Sequence, residues 1–142
     1  MIKKFLTYIL LIVSLFSFAQ QNESTLFFKD CTAETFKENL EILSGSSILI
    51  DTRTKRDYKR SRIKGAILGE EINAIFNIVK NYPKNKAIFV YSESGDESIT
   101  VSALLMRKGY NKIYNLKDGL DDWWRAGFKL DKSKVKIGIV SL

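Results

Sequence analysis

A chain of 142 residues, 45% hydrophobic and 27% charged, is long enough to bury one core and too apolar to be disordered. It has no histidine, which excludes a Ser-His-Asp triad and histidine metal ligands. Its one cysteine, Cys31, excludes an internal disulfide, a thiolate zinc cluster and a C-x-x-C pair.

The first residues read as a targeting signal. Lys3 and Lys4 form a positive start, Phe5 to Phe18 is an uncharged apolar stretch, and Ser17-Phe18-Ala19 offers small residues at a cleavage site. Residues 1–19 are therefore expected to be removed, leaving a linker over 20–25 and an exported protein, periplasmic or secreted. The apolar stretch is shorter than the roughly 18 residues of a spanning helix, which makes an uncleaved anchor the weaker alternative, and no membrane span is expected after cleavage. Losing the two lysines lowers the formal net charge from +7 to +5.

The domain is expected over residues 26–130. Leu26-Phe27-Phe28 reads as the end of a first strand or of a strap along a sheet edge. Thr32 then caps a helix over 33–43, with Phe36, Leu40 and Leu43 at helical spacing. Cys31 precedes that cap and reads as a small buried residue, with a reactive thiol at a helix N-terminus as the alternative. Ile48-Leu49-Ile50 is a continuous apolar run, the mark of a strand covered on both faces. It leads into Asp51-Thr52-Arg53 and a brief helix near 56–61 carrying Tyr58.

Arg53, Lys55, Arg56, Lys59, Arg60, Arg62 and Lys64 crowd one segment. They are expected to form a solvated helix face rather than a nucleic-acid surface, since no nucleic-acid motif accompanies them. Residues 65–68 form a further short strand. An amphipathic helix follows over 71–81, with Ile72, Ile75, Phe76 and Val79 on one side and Pro83 just past its end.

Ala87 to Val90 reads as another buried strand, followed by the loop Tyr91-Ser92-Glu93-Ser94-Gly95-Asp96-Glu97-Ser98 and a helix over 98–108. A strand, a short loop and a helix N-terminus in that order aim free N–H groups at one point, a shape suited to an anion. Glu93, Asp96 and Glu97 oppose that use. The helix is apolar nearly all round and is expected to be buried. Residues 113–116 form the last core strand, and 120–125 a short helix with Trp123 and Trp124, of which one is expected to be buried. The tail over 131–142 alternates at Val135, Ile137 and Ile139 like an edge strand. The succession predicts an α/β domain with a mainly parallel sheet, whose functional crevice lies beyond the carboxyl ends of the strands.

Three ordered stretches resemble the rhodanese-like family of sulfurtransferase domains. Ile48 to Arg53, Asp57-Tyr58 and Arg62 to Ala66 are similar to the family's Leu-Ile-Asp-Val-Arg, Glu-Tyr and His-Ile-Pro-Gly-Ala. Val90-Tyr91-Ser92 through Gly95 and Ser98 are similar to its Val-Tyr-Cys-x-x-Gly-x-Arg-Ser active-site loop. Gly109-Tyr110, Ile113 to Leu116, Gly119, Trp123 and Ala126-Gly127 match its ending. The resemblance implies a single-domain five-stranded parallel sheet flanked by helices on both faces. In catalytic members a loop cysteine carries sulfur as a persulfide, taken from donors such as thiosulfate and passed to cyanide or a thiol.

In this chain the cysteine position is Ser92 and the loop arginine position is Glu97. A hydroxyl forms no persulfide, and Glu97 repels the anionic donor that an arginine attracts. No catalytic residue, metal site or cofactor is therefore expected: the loop from Ser92 to Ser98 is degenerate, and Asp51, Arg53 and Ser92 are candidate binding residues. The reading is an inactive binding or regulatory module for an unidentified protein or small ligand. The alternative is a sulfurtransferase that uses a different cysteine. A Ser92 hydrolase lacks a base, and a calcium site built from the acidic loop and Asp51 matches no known spacing.

Overall fold

Each strand is followed by a helix that carries the chain back to the edge where the next strand begins, so neighbouring strands run in the same direction. The computed structural model describes residues 28–135. In chain order it contains β1 (Lys29–Cys31), α1 (Ala33–Ile42), β2 (Ser47–Asp51), α2 (Lys55–Arg60), β3 (Ile67–Leu68), α3 (Ile72–Val79), β4 (Ala87–Tyr91), α4 (Asp96–Arg107), β5 (Ile113–Leu116) and α5 (Gly119–Arg125). The five strands are all parallel, in the order β1-β5-β4-β2-β3.

The central pair is β2 and β4, in register from Ser47 opposite Ala87 to Asp51 opposite Tyr91. Alternation along both strands sends side chains to two cores. Ile48, Ile50, Ile88, Val90 and Ile113 pack against Ile75 and Val79 of α3 and Val101 and Leu105 of α4. Leu49, Phe89, Tyr91 and Leu116 pack on the opposite face against Phe36 of α1 and Leu120 and Trp123 of α5. There the rings of Phe36 and Phe89 meet edge-on at 5.1 Å, and Phe89 stacks on Tyr114 at 4.5 Å. Helices therefore cover both faces, as expected.

The first described strand is Lys29–Cys31, with Cys31 opposite Leu116, while Leu26 and Phe27 of the expected first strand or strap lie outside the described residues. As an edge strand it needs no apolar alternation, so its polar Lys29-Asp30 start carries no strand pattern in the sequence. Helix α4 is not apolar-buried all round. Only Ser98, Val101, Ser102 and Leu105 are buried, while Ile99 is 41% exposed. The small serines let one stripe of that helix approach the sheet closely, leaving larger side chains at its flanks.

The basic segment is likewise not wholly solvated: Arg53 and Arg62 are buried. Finally, the chain past residue 130 is clasped to the domain. Arg62 and Asp131 exchange backbone hydrogen bonds of 3.0 and 2.8 Å, and their side chains pair at 2.8 Å. Trp123 is buried and Trp124 is 72% exposed. The expected signal (1–19), the linker (20–25), and Ile137 and Ile139 of the proposed edge strand lie outside the described residues. No described helix is long and apolar enough to cross a membrane.

The Asp131 clasp carries a pH dependence. The Ser133 N–H, assisted by the Ser133 hydroxyl and by Arg62, holds the Asp131 carboxyl below its ordinary pKa. A depressed folded pKa gives stability that is present above the unfolded value and is lost as pH falls through the folded one. The unfolding midpoint should therefore drop on acidification below about pH 4. Thermal melts of Asp131→Asn should show a shallower acid limb than the parent; an unchanged limb would rule the clasp out as a contributor.

Candidate functional site

The carboxyl ends of β2 and β4 place Asp51 beside Tyr91, and a buried polar network grows from that pair. The Asp51 carboxylate has no solvent exposure and accepts the Tyr91 hydroxyl at 2.6 Å. It also accepts Arg53 Nε at 3.0 Å, Arg53 Nη2 at 2.8 Å and the Arg53 backbone N–H at 2.9 Å. Arg53 donates further to the Ser61 carbonyl at 2.6 Å and, through Nη1, to Glu93 at 2.9 Å. The Tyr91 hydroxyl in turn accepts the Ile63 N–H at 3.1 Å.

Burial disfavours a charged guanidinium. The hydrogen bonds and charge of Asp51, joined by Glu93, outweigh it and raise the Arg53 pKa above its ordinary value. Burial first, then the Asp51 charge, pushes the Tyr91 hydroxyl well above the usual tyrosine range. The network holds β2, β4, the segment after α2 and the start of the loop in one arrangement.

The loop closes on itself. Ser92 is fully buried, and its Oγ accepts the Gly95 N–H at 2.9 Å and lies 3.3 Å from Ser98 Oγ, which itself donates to the Gly95 carbonyl at 3.0 Å. The outer side of the loop rests on the start of α5. Leu120 N–H donates to the Ser92 carbonyl at 3.0 Å, and Asp121 N–H to the Glu93 carbonyl at 3.3 Å. Two glycines permit this approach. A Cβ on Gly95 (φ +99°) would stand 1.8 Å from the Lys117 carbonyl oxygen, and one on Gly119 (φ +63°) 2.2 Å from that of Glu93.

A cavity of about 460 Å³ opens beside the loop, lined by Thr52, Arg53, Thr54, Asp57, Arg60, Glu70, Glu93 and Glu97. Of the residues singled out from the sequence, Arg53, Glu93 and Glu97 face it. Asp51 lies behind Arg53, and the Ser92 hydroxyl is turned into the loop. Ser94 and Asp96 are exposed and hydrogen-bond each other at 2.9 Å. Four carboxylates thus face two guanidiniums, and both are already engaged, Arg53 by Asp51 and Glu93 and Arg60 by Asp57 at 3.0 Å.

Thr54 and Glu70 carry no sequence expectation, and Asp57 and Arg60, known from the Asp57-Tyr58 motif and the basic segment, join the cavity wall only in the fold. The Thr54 cap of α2, whose hydroxyl lowers the Asp57 pKa, was a further local signal available for that wall. Among the described residues no group of three acidic, cysteine or histidine side chains is arranged to hold a metal ion. Cys31 lies in the core cluster that holds Phe36 and Trp123, 2% exposed. Its burial pushes the thiol pKa up.

Comparison with known proteins supports the architecture. A sulfurtransferase of Allochromatium vinosum is 30% identical over 83 residues, covering 58% of this chain and 77% of that protein. A tRNA sulfurtransferase of Desulfurococcus amylolyticus is 34% identical over 94 residues, which are 66% of this chain and 18% of that much longer protein. A rhodanese-like domain protein from Staphylococcus aureus shares the fold at a TM-score of 0.61 and 22% identity, over 75% of this chain and 100% of that one. A thiosulfate sulfurtransferase of Pseudomonas aeruginosa does so at 0.63 and 21%, over 80% of this chain and 22% of that one. The family model described as "Rhodanese-like domain" matches residues 32–126, from the cap of α1 to the end of α5. With the parallel sheet and the loop after β4 in place, the chain belongs to the rhodanese-like domain family.

Proposed function

We propose that this rhodanese-like domain, exported after loss of residues 1–19, binds a partner protein or small ligand at the carboxyl-edge cavity and transfers no sulfur through its loop. The observation that supports this reading is Ser92. It occupies the position of the family's sulfur carrier, holds an oxygen that forms no persulfide, and spends that oxygen on the Gly95 N–H inside the loop. The acidic cavity wall adds to it, because a thiosulfate dianion meets Glu93 and Glu97 where it would need cations. A second reading, sulfur transfer through Cys31, draws on relatives named as sulfurtransferases. Its weakness is that Cys31 is buried and its thiolate disfavoured.

Thiosulfate:cyanide turnover by the full chain and by Cys31→Ala decides between them. The expected result is no turnover above the uncatalysed rate in either protein. Turnover that disappears with Cys31→Ala would replace the binding reading by the enzymatic one. A Ser92→Cys/Glu97→Arg variant should take sulfur from thiosulfate, seen as a persulfide adduct in the intact mass, at least about 10-fold faster than Ser92→Cys alone. Equal rates would show that the acidic residue is not what opposes the donor.

A further inference from the structure

The two ends of the sheet differ in charge. No Asp or Glu occurs between Ile72 and Ser92, or between Ser98 and Lys117. Those stretches form the turns at the amino edge, where β4 and β5 begin, and they carry Lys80, Lys84, Lys86, Arg107, Lys108 and Lys112. A merely solvated surface usually mixes signs, and this one does not. None of these six cations forms an ion pair among the described residues.

Between the two turns lies a second cavity, of about 270 Å³, with Phe76, Val79, Tyr82 and Tyr110 as its apolar wall and Lys80, Lys84 and Lys108 around it. Lacking carboxylates, the ammonium groups settle over rings: Lys84 Nζ lies 3.8 Å from the Tyr110 ring centre, and Lys108 Nζ 5.3 Å from that of Phe76. The wall is held in place from within. The buried Tyr110 donates its hydroxyl to the Val79 carbonyl at 2.8 Å, and Asn111 N–H donates to the Lys84 carbonyl at 3.1 Å. An apolar floor on a fixed backbone, edged by cations without an ion-pair partner among the described residues, suits a ligand with a flat apolar body and an anionic end.

We propose that this amino-edge groove is a binding site for a small organic oxyanion, an aromatic or aliphatic body bearing a carboxylate or phosphate. The body lies against Phe76 and Tyr110, and Lys84 and Lys108 leave the rings to meet the oxyanion. The site is at the opposite end of the sheet from the acidic cavity, so neither assignment depends on the other.

The test is an NMR titration of the full chain with phenyl phosphate and benzoate, and with inorganic phosphate and benzylamine as controls. The expected result is that the two organic anions shift the ring signals of Tyr110 and Phe76 and bind at least about 10-fold more tightly than either control. Lys84→Gln/Lys108→Gln should abolish that preference at an unchanged unfolding midpoint, and Lys84→Arg/Lys108→Arg should retain it. Inorganic phosphate binding as tightly as phenyl phosphate would reduce the groove to a diffuse field of charge and overturn the proposal. Benzylamine binding equally, or shifts confined to the acidic cavity, would overturn it as well.

Discussion

Replacing Arg53 by leucine should lower the unfolding free energy by about 3–5 kcal/mol, a large share of the roughly 5–15 kcal/mol of a typical domain. The cost comes from what stays behind. Asp51 has no contact with solvent and loses a bidentate guanidinium and its charge compensation, keeping only the Tyr91 hydroxyl and one backbone N–H. The Glu93 end of the same arginine contributes far less, because the Glu93 side chain is 54% exposed and water replaces its partner. Arg53→Lys should recover part of the loss at most, since an ammonium cannot span Asp51, Ser61 and Glu93 together. Adding Asp51→Asn to Arg53→Leu removes the stranded charge and should restore some stability. Urea unfolding of the four proteins measures this. A loss below about 1 kcal/mol for Arg53→Leu would mean that the network is an ornament of the fold rather than a support.

Gly95→Ala should destabilise the domain by about 3 kcal/mol or more and detach the loop from α5. Two penalties fall on one atom. The backbone at φ +99° is strained for any residue with a Cβ, and that Cβ would sit 1.8 Å from the Lys117 carbonyl oxygen, which belongs to main chain and cannot swing aside. Relief requires the turn at Lys117-Gly119 to retreat, which breaks the Leu120 N–H bond to the Ser92 carbonyl. Gly127→Ala is the control. Its φ is +76° but open space surrounds the new methyl, so only the conformational penalty of about 1–2 kcal/mol is expected. If the two variants unfold at the same urea concentration, close packing of loop on turn contributes nothing.

Much of the architecture is visible without coordinates, because it depends on neighbours in sequence. The apolar runs at Ile48–Ile50 and Ala87–Val90, the helical spacing of Ile72, Ile75, Phe76 and Val79, and the Thr32 cap are local patterns, and their alternation leads to a parallel sheet. The loop after β4, which opens on Ser92, is legible for the same reason. Local pattern fails where one face must be chosen or where no face is needed. Helix α4 has apolar residues on every side, and only docking on the sheet selects the stripe through Val101 and Leu105; β1 sits at an edge and carries no alternation.

The site itself belongs to the tertiary structure. Register sets Asp51 beside Tyr91 forty positions away, and only then does Arg53 find Glu93 and bury its charge. The inward turn of Ser92, the wall built from Thr54, Asp57, Arg60 and Glu70, and the lysines gathered at the amino edge likewise join segments far apart in the chain. Sequence order determines which residues exist and which periodicity each stretch follows. Which charge meets which is decided by strand register and close backbone packing, because electrostatic and hydrogen-bond energies depend on distances that only the folded chain sets.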